Sequence, residues 1–119
     1  MRGLLFSVSL KNNYEFRRLY NKGQSAALPT LVVYARKTKR GMNRIGYTVS
    51  VKLGHAVVRN RVRRRLREIS RLHEGEVKIG YDVVVVARSR AVEASYQQLE
   101  KDFLHLLKKL ELIRSEGQA

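Results

Sequence analysis

Between residues 30 and 37 apolar positions alternate. Leu31, Val33 and Ala35 fall on one side of an extended chain, and Val32, Tyr34 and Arg36 on the other. Residues 44 to 52 repeat the pattern, with Ile45, Tyr47, Val49 and Val51 against Gly46, Thr48, Ser50 and Lys52. The continuous run Val83-Val84-Val85-Val86 predicts a strand buried on both faces. Three segments carry the helical period instead. Asn12 is placed as an N-cap with Glu15 as the return half of a capping box, and the helix runs through Phe16, Leu19 and Tyr20 to a stop at Gly23. From about Ala56, the apolar stripe Val58, Val62, Leu66, Ile69 and Leu72 predicts a second helix. Tyr96, Leu99, Phe103, Leu106, Leu107 and Leu110 predict a third over 92 to 113. Residues 24 to 29, with the single proline Pro29, read as a connector. The order is therefore helix, strands, helix, strand, helix.

The second helix changes the picture. Opposite its apolar stripe stand Asn60, Arg63, Arg64, Arg67 and Arg71, flanked by Arg61, and Glu68 is the lone acid among seven arginines from 59 to 71. A solvated face ordinarily mixes signs along the helix. A helix anchored on one side and presenting planar, bidentate cations on the other suits phosphate recognition.

Composition agrees. The 119 residues make one domain, 1 to 119, with 1 to 9 and 114 to 119 expected to be flexible. Lys and Arg number 25 against 10 Asp and Glu, a net charge of +15 that favours an acidic partner, nucleic acid before an anionic membrane. Absence of cysteine excludes disulfides and thiolate metal sites. The apolar N-terminal stretch is short and lacks a small-residue cleavage site, and no run is long enough to span a bilayer, so the expected location is cytoplasmic.

No constellation for catalysis by the chain's own side chains can be assembled. The two aspartates, Asp82 and Asp102, are far apart in sequence, and His55, His73 and His105 are not at ligand spacing. Asp82 reads as a strand-end residue. A self-contained nuclease using Asp82, Asp102 and a histidine is disfavoured by this scarcity of acids. Neither a nucleophile elbow nor a phosphate-binding glycine loop is present.

The sheet face bearing Val32, Tyr34 and Arg36 beside Gly46, Thr48, Ser50 and Lys52 offers a second surface, with Phe16 and Tyr20 along its edge. Aromatics interleaved with cations suit single-stranded RNA, whose bases stack on rings. The competing reading makes Phe16 and Tyr20, with Leu19, simple packing contacts between helix and sheet. Tyr34 is the stronger candidate, because Arg36 and Lys52 beside it are costly to bury.

Arg44-Ile45-Gly46-Tyr47-Thr48-Val49-Ser50, Lys52-Leu53-Gly54-His55-Ala56-Val57-Val58, Arg59-Asn60-Arg61 and Arg67-Glu68 together resemble the signature of the bacterial ribonuclease P protein family. Glu15 to Gly23 and Asp82 to Arg88 resemble its first helix and late strand. The family often has a second lysine where Val51 stands, and alternation turns Val51 toward the core. The resemblance implies an α/β (α+β sandwich) fold, a small sheet packed with three helices, ribosomal protein S5 domain 2-like, with a left-handed β-α-β crossover that is an exception to the usual hand. It implies a protein subunit of ribonuclease P, monomeric in a 1:1 ribonucleoprotein, that helps a catalytic RNA remove the 5′ leader of precursor tRNA. The RNA uses Mg²⁺, and the protein itself holds no tight cofactor or metal and supplies no catalytic residue. Carried over by position, Arg59, Asn60, Arg61, Arg63, Arg64, Arg67 and Arg71 would meet the ribozyme RNA. Phe16, Tyr20, Val32, Tyr34, Arg36, Ser50 and Lys52 would line a leader cleft, with Arg88 and Arg90 at its rim. The alternative reading is a general RNA-binding module of a ribosomal or assembly protein.

Overall fold

The computed structural model of the chain describes residues 7–9, by their backbone, and residues 13–113. Strands β1 (Ser7–Ser9), β2 (Gln24–Ala27), β3 (Leu31–Lys37), β4 (Asn43–Thr48) and β5 (Tyr81–Ala87) form one sheet in the order β1-β4-β5-β3-β2. β1, β4 and β5 run parallel, while β3 is antiparallel to both β5 and β2. Helices α1 (Asn13–Lys22), α2 (Ala56–Leu72) and α3 (Tyr96–Lys109) flank it. α2 makes the crossover between the adjacent parallel strands β4 and β5.

The alternation predicted for β3 decides the layering. Leu31, Val33 and Ala35 join Val83, Val85, Val62, Leu66, Ile69, Leu99, Phe103, Leu106 and Leu107 in the main core, under α2 and α3. On the opposite face Leu19 of α1 seats on Val84, with Phe16, Tyr34 and Val86 around them. β5 is therefore covered on both faces, Val83 and Val85 on one and Val84 on the other, as its continuous apolar run requires. Gly23 lets α1 end close to the sheet: a Cβ there would lie 2.7 Å from the Leu19 carbonyl oxygen and 2.9 Å from that of Ala35.

Several expectations are corrected. Residues 24–27 of the expected connector form β2, a polar edge strand whose pairing with β3 supplies the order its own sequence does not signal. Ser7–Ser9, expected within a flexible end, pairs with Asn43–Ile45 as an edge strand. β4 ends at Thr48. Ser50 then accepts a hydrogen bond from the Lys52 amide and starts a 3-10 turn over Val51–Leu53. That turn breaks the alternation and leaves Val51 72% exposed instead of in the core. Leu72 is 63% exposed, because the next position on the α2 stripe after Ile69 is taken by His73. α3 begins at Tyr96, later than expected, where the Ser95 hydroxyl caps it through the Gln98 amide. The expected Asn12 cap and residues 114 to 119 lie outside the described residues.

Candidate nucleic-acid interface

α2 starts where Gly54, at φ +147°, turns the chain. A side chain there would be strained by the backbone angle and would crowd Val58, 3.2 Å from its Cβ. Arg59 braces this turn through its Nε, which donates to the Gly54 carbonyl at 3.1 Å. Val62, Leu66 and Ile69 are buried, so the helix cannot roll and its polar side is held outward. Arg63 donates to the Asn60 side-chain oxygen at 2.9 Å. Among the described residues, Arg61, Arg64, Arg67 and Arg71 make no ion pair and no side-chain hydrogen bond, and Glu68 neutralises none of them. The structure thus brings the predicted residues of α2 onto one surface, with Arg59 and Asn60 engaged locally and four guanidiniums open to solvent.

A different arrangement surrounds Arg44. Its Nε and Nη2 donate to both oxygens of Asp82, at 3.0 and 2.8 Å, and Nη1 pairs with Glu15. Arg40 adds a more distant contact of 3.7 Å to Asp82. Arg44, Glu15 and Asp82 are largely enclosed, whereas Arg40 is exposed. The hydrogen bond to Asp82 first, and that to Glu15 with it, outweigh the cost of burial and raise the already high Arg44 pKa further. Glu15, read as half of a capping box, thus pins α1 to β4. Asp82 is a structural counter-ion at the start of β5, in line with its strand-end reading.

The residues expected to line a leader cleft fall mostly on the sheet face that α1 covers and along α1 itself. Tyr20 and Tyr34 meet edge to face, with ring centroids 4.8 Å apart and planes at 70°. The Tyr20 hydroxyl lies 3.0 Å from the Thr48 hydroxyl oxygen, so Tyr20 spans from α1 across to β4. Val32, Tyr34 and Arg36 follow one another along β3 on this face, half-buried. Phe16 packs against Leu19 and Val84, which makes it chiefly an anchor of α1. In register, Thr48 stands beside Val86, so Ser50 and Lys52 leave the sheet at the same end as Arg88 and Arg90. Arg88 is exposed and donates to the Leu28 carbonyl at 3.2 Å, and Arg90 is exposed on the following 3-10 turn. At the other end, Arg36 also borders a groove with Lys22, Lys37 and Lys78. Thr48 was on the predicted face but outside the predicted site, since a lone threonine announces nothing until Tyr20 reaches it.

Asp102 and His73 tie elements together. Asp102 accepts from the Thr30 hydroxyl and from the Gln98 amide. His73, at the end of α2, places Nδ1 2.6 Å from Glu76 and Nε2 2.7 Å from Glu100. Burial alone would lower the His73 pKa, but the hydrogen bonds to Glu100 and Glu76 prevail and raise it. His55 occupies the N-cap position of α2 without a side-chain capping bond. Among the described residues, no three His, Asp or Glu side chains gather closely enough to hold a metal ion, and no helix is long and apolar enough to cross a membrane.

The model of the family described as Ribonuclease P matches residues 6–111. The chain is similar to the ribonuclease P protein component of Alkaliphilus oremlandii, 46% identical over 106 residues that cover 89% of this chain and 93% of that protein. It is 39% identical over 104 residues to the ribonuclease P protein component of Clostridioides difficile, covering 87% and 91%. The solved RNase P protein of Staphylococcus aureus matches its fold with a TM-score of 0.82 at 34% identity, over 89% of this chain and 97% of that one. That of Thermotoga maritima matches with a TM-score of 0.78 at 30% identity, over 86% and 96%.

Proposed function

This chain belongs to the ribonuclease P protein family, and from that premise we propose that it is the protein subunit of a ribonuclease P that matures the 5′ end of tRNA in the cytoplasm. In this reading α2 docks on the ribonuclease P RNA, and the cleft around Tyr20 and Tyr34 takes the 5′ leader of precursor tRNA. The protein acts as a single copy beside one RNA.

The observation that carries the reading is the presence of two chemically distinct surfaces on one small chain. One is a rigid helix face of unpaired guanidiniums, suited to the phosphates of a structured RNA. The other is the sheet face under α1, where Tyr34 and Tyr20 meet with Arg36 toward one end of the strands and Ser50 and Lys52 beyond the other, suited to a flexible single strand. A general RNA-binding module needs the first surface but not the second.

Hydrolysis belongs to the RNA, which would supply the sites for Mg²⁺. Asp82 and Asp102 are already engaged by Arg44, Thr30 and Gln98, so the chain's own acids are poor candidates for a catalytic metal pair. The chain's part is to hold the substrate leader and to screen phosphate repulsion where the two RNAs meet.

Reconstitution tests this directly. The purified chain alone should leave precursor tRNA intact, and addition of bacterial ribonuclease P RNA should restore leader removal at low Mg²⁺. Cleavage by the protein alone after rigorous removal of contaminating ribonucleases would overturn the reading.

A further inference from the structure

The four unpaired arginines of α2 do not stand on a convex ridge. With Glu68 and Tyr96 they line an open groove of about 610 Å³ between α2 and the start of α3. That volume is within the range of small-ligand pockets, roughly 300–1,000 Å³. Arg65 sets the groove's width: its Nη1 donates to the Ala94 carbonyl at 3.3 Å and ties α2 to the segment that leads into α3. The Ser95 cap then fixes the first helical residue, Tyr96. The Tyr96 ring packs against the main core on one side and remains half-open on the other.

A continuous RNA duplex presents phosphates and ribose hydroxyls, and cations alone suffice to bind it. An aromatic ring held among those cations adds nothing to duplex binding but offers a platform for an unstacked base. Glu68, the only acid lining the groove, is an acceptor for a base amino group and has no cationic partner within ion-pair distance among the described residues. We propose that the groove between α2 and α3 is a nucleotide subsite, in which an unpaired base of the bound RNA stacks on Tyr96 while Arg61, Arg64, Arg67 and Arg71 hold the adjoining phosphates. This rests on the reading of α2 as the RNA-docking helix and adds that the RNA there is locally unpaired.

The chain contains no tryptophan, so Tyr96→Trp introduces a single reporter at the site. Its fluorescence should be quenched on binding ribonuclease P RNA without substrate, and should stay unquenched on a continuous RNA duplex bound at low salt. Tyr96→Leu, which keeps apolar packing, should weaken binding of ribonuclease P RNA by roughly 5- to 150-fold, the equivalent of one base stack. The slope of log affinity against log salt should stay the same, because no phosphate contact is lost. Tyr96→Phe should bind like the parent. Unquenched Tyr96→Trp in the RNA complex, or Tyr96→Leu binding as tightly as the parent, would overturn the subsite. Quenching that appears only when precursor tRNA is added would assign the base to the substrate and overturn its placement in the ribozyme RNA. If the parent chain prefers ribonuclease P RNA no more than duplex, the docking reading itself falls, which is a separate result.

Discussion

Arg44 meets two carboxylates in a partly enclosed site, whereas Arg61, Arg64, Arg67 and Arg71 meet none among the described residues. The same guanidinium group therefore has two uses in one chain. At the N-terminal ends of β4 and β5 it is consumed internally, joining α1 to the sheet. On α2 it is displayed on a surface whose burial is supplied by the other side of the helix. A basic composition by itself does not distinguish these cases. What separates them is whether acids from other elements reach the cation, and that depends on topology.

The sharpest way to break this contrast is to remove the counter-ion. Asp82→Ala leaves Arg44 partly buried with only Glu15, and should cost about 3 kcal/mol of stability in urea unfolding. Arg64→Ala, on the exposed face, should change stability by less than about 0.5 kcal/mol. Similar losses for the two would mean that α2 is no freer than the Arg44 cluster. The next effect lies in binding. Arg64→Ala with Arg67→Ala should weaken binding of ribonuclease P RNA by roughly 3 kcal/mol and lower its log–log salt slope by about 1.4–1.8, from two lost phosphate contacts. A parent-like slope would place these arginines away from the RNA.

The cleft should respond differently from both arginine groups. Tyr34→Ala should weaken binding of leader-bearing precursor tRNA to the reconstituted complex by about 1–3 kcal/mol, with little effect on mature tRNA. Equal losses for the two ligands would remove the leader from this surface. The smallest effect concerns His73. Its pKa is raised in the folded state, so its contribution is complete below its ordinary value of 6.5 and fades as pH rises through the higher folded value. Glu76 is largely exposed, so the stabilisation should be a few tenths to about 1 kcal/mol. Urea midpoints measured from pH 6.5 to about 9 should fall further for the parent than for His73→Gln. Parallel profiles would show that the fold does not raise the imidazole pKa.

Much of this was legible from residue order because the signals are local. Alternation at Leu31 to Arg36 assigns each side chain of β3 to a face, and the period of α2 separates Val62, Leu66 and Ile69 from the arginines. Other features lacked any local signal. β2 is short and polar, and only its pairing with β3 makes it a strand. Val51 obeys the alternation in sequence but follows Ser50, whose side chain turns the backbone before the pattern is complete. Tyr96 fits the apolar stripe of α3, and its open side follows only from how α2 lies against it.

By itself the sequence determined which residues are apolar and at what spacing. That is enough to define the three helices, the core strands, the outward arginine face and the resemblance carried by residues 44 to 68. Only the tertiary structure decided which cations remain available. Glu15 and Asp82 reach Arg44 from different elements, Asp82 from 38 positions along the chain, and no comparable acid reaches Arg61 or Arg64 among the described residues. Periodicity is a property of neighbours in sequence, and charge neutralisation is a property of neighbours in space. The one can be read from residue order, and the other waits for the fold.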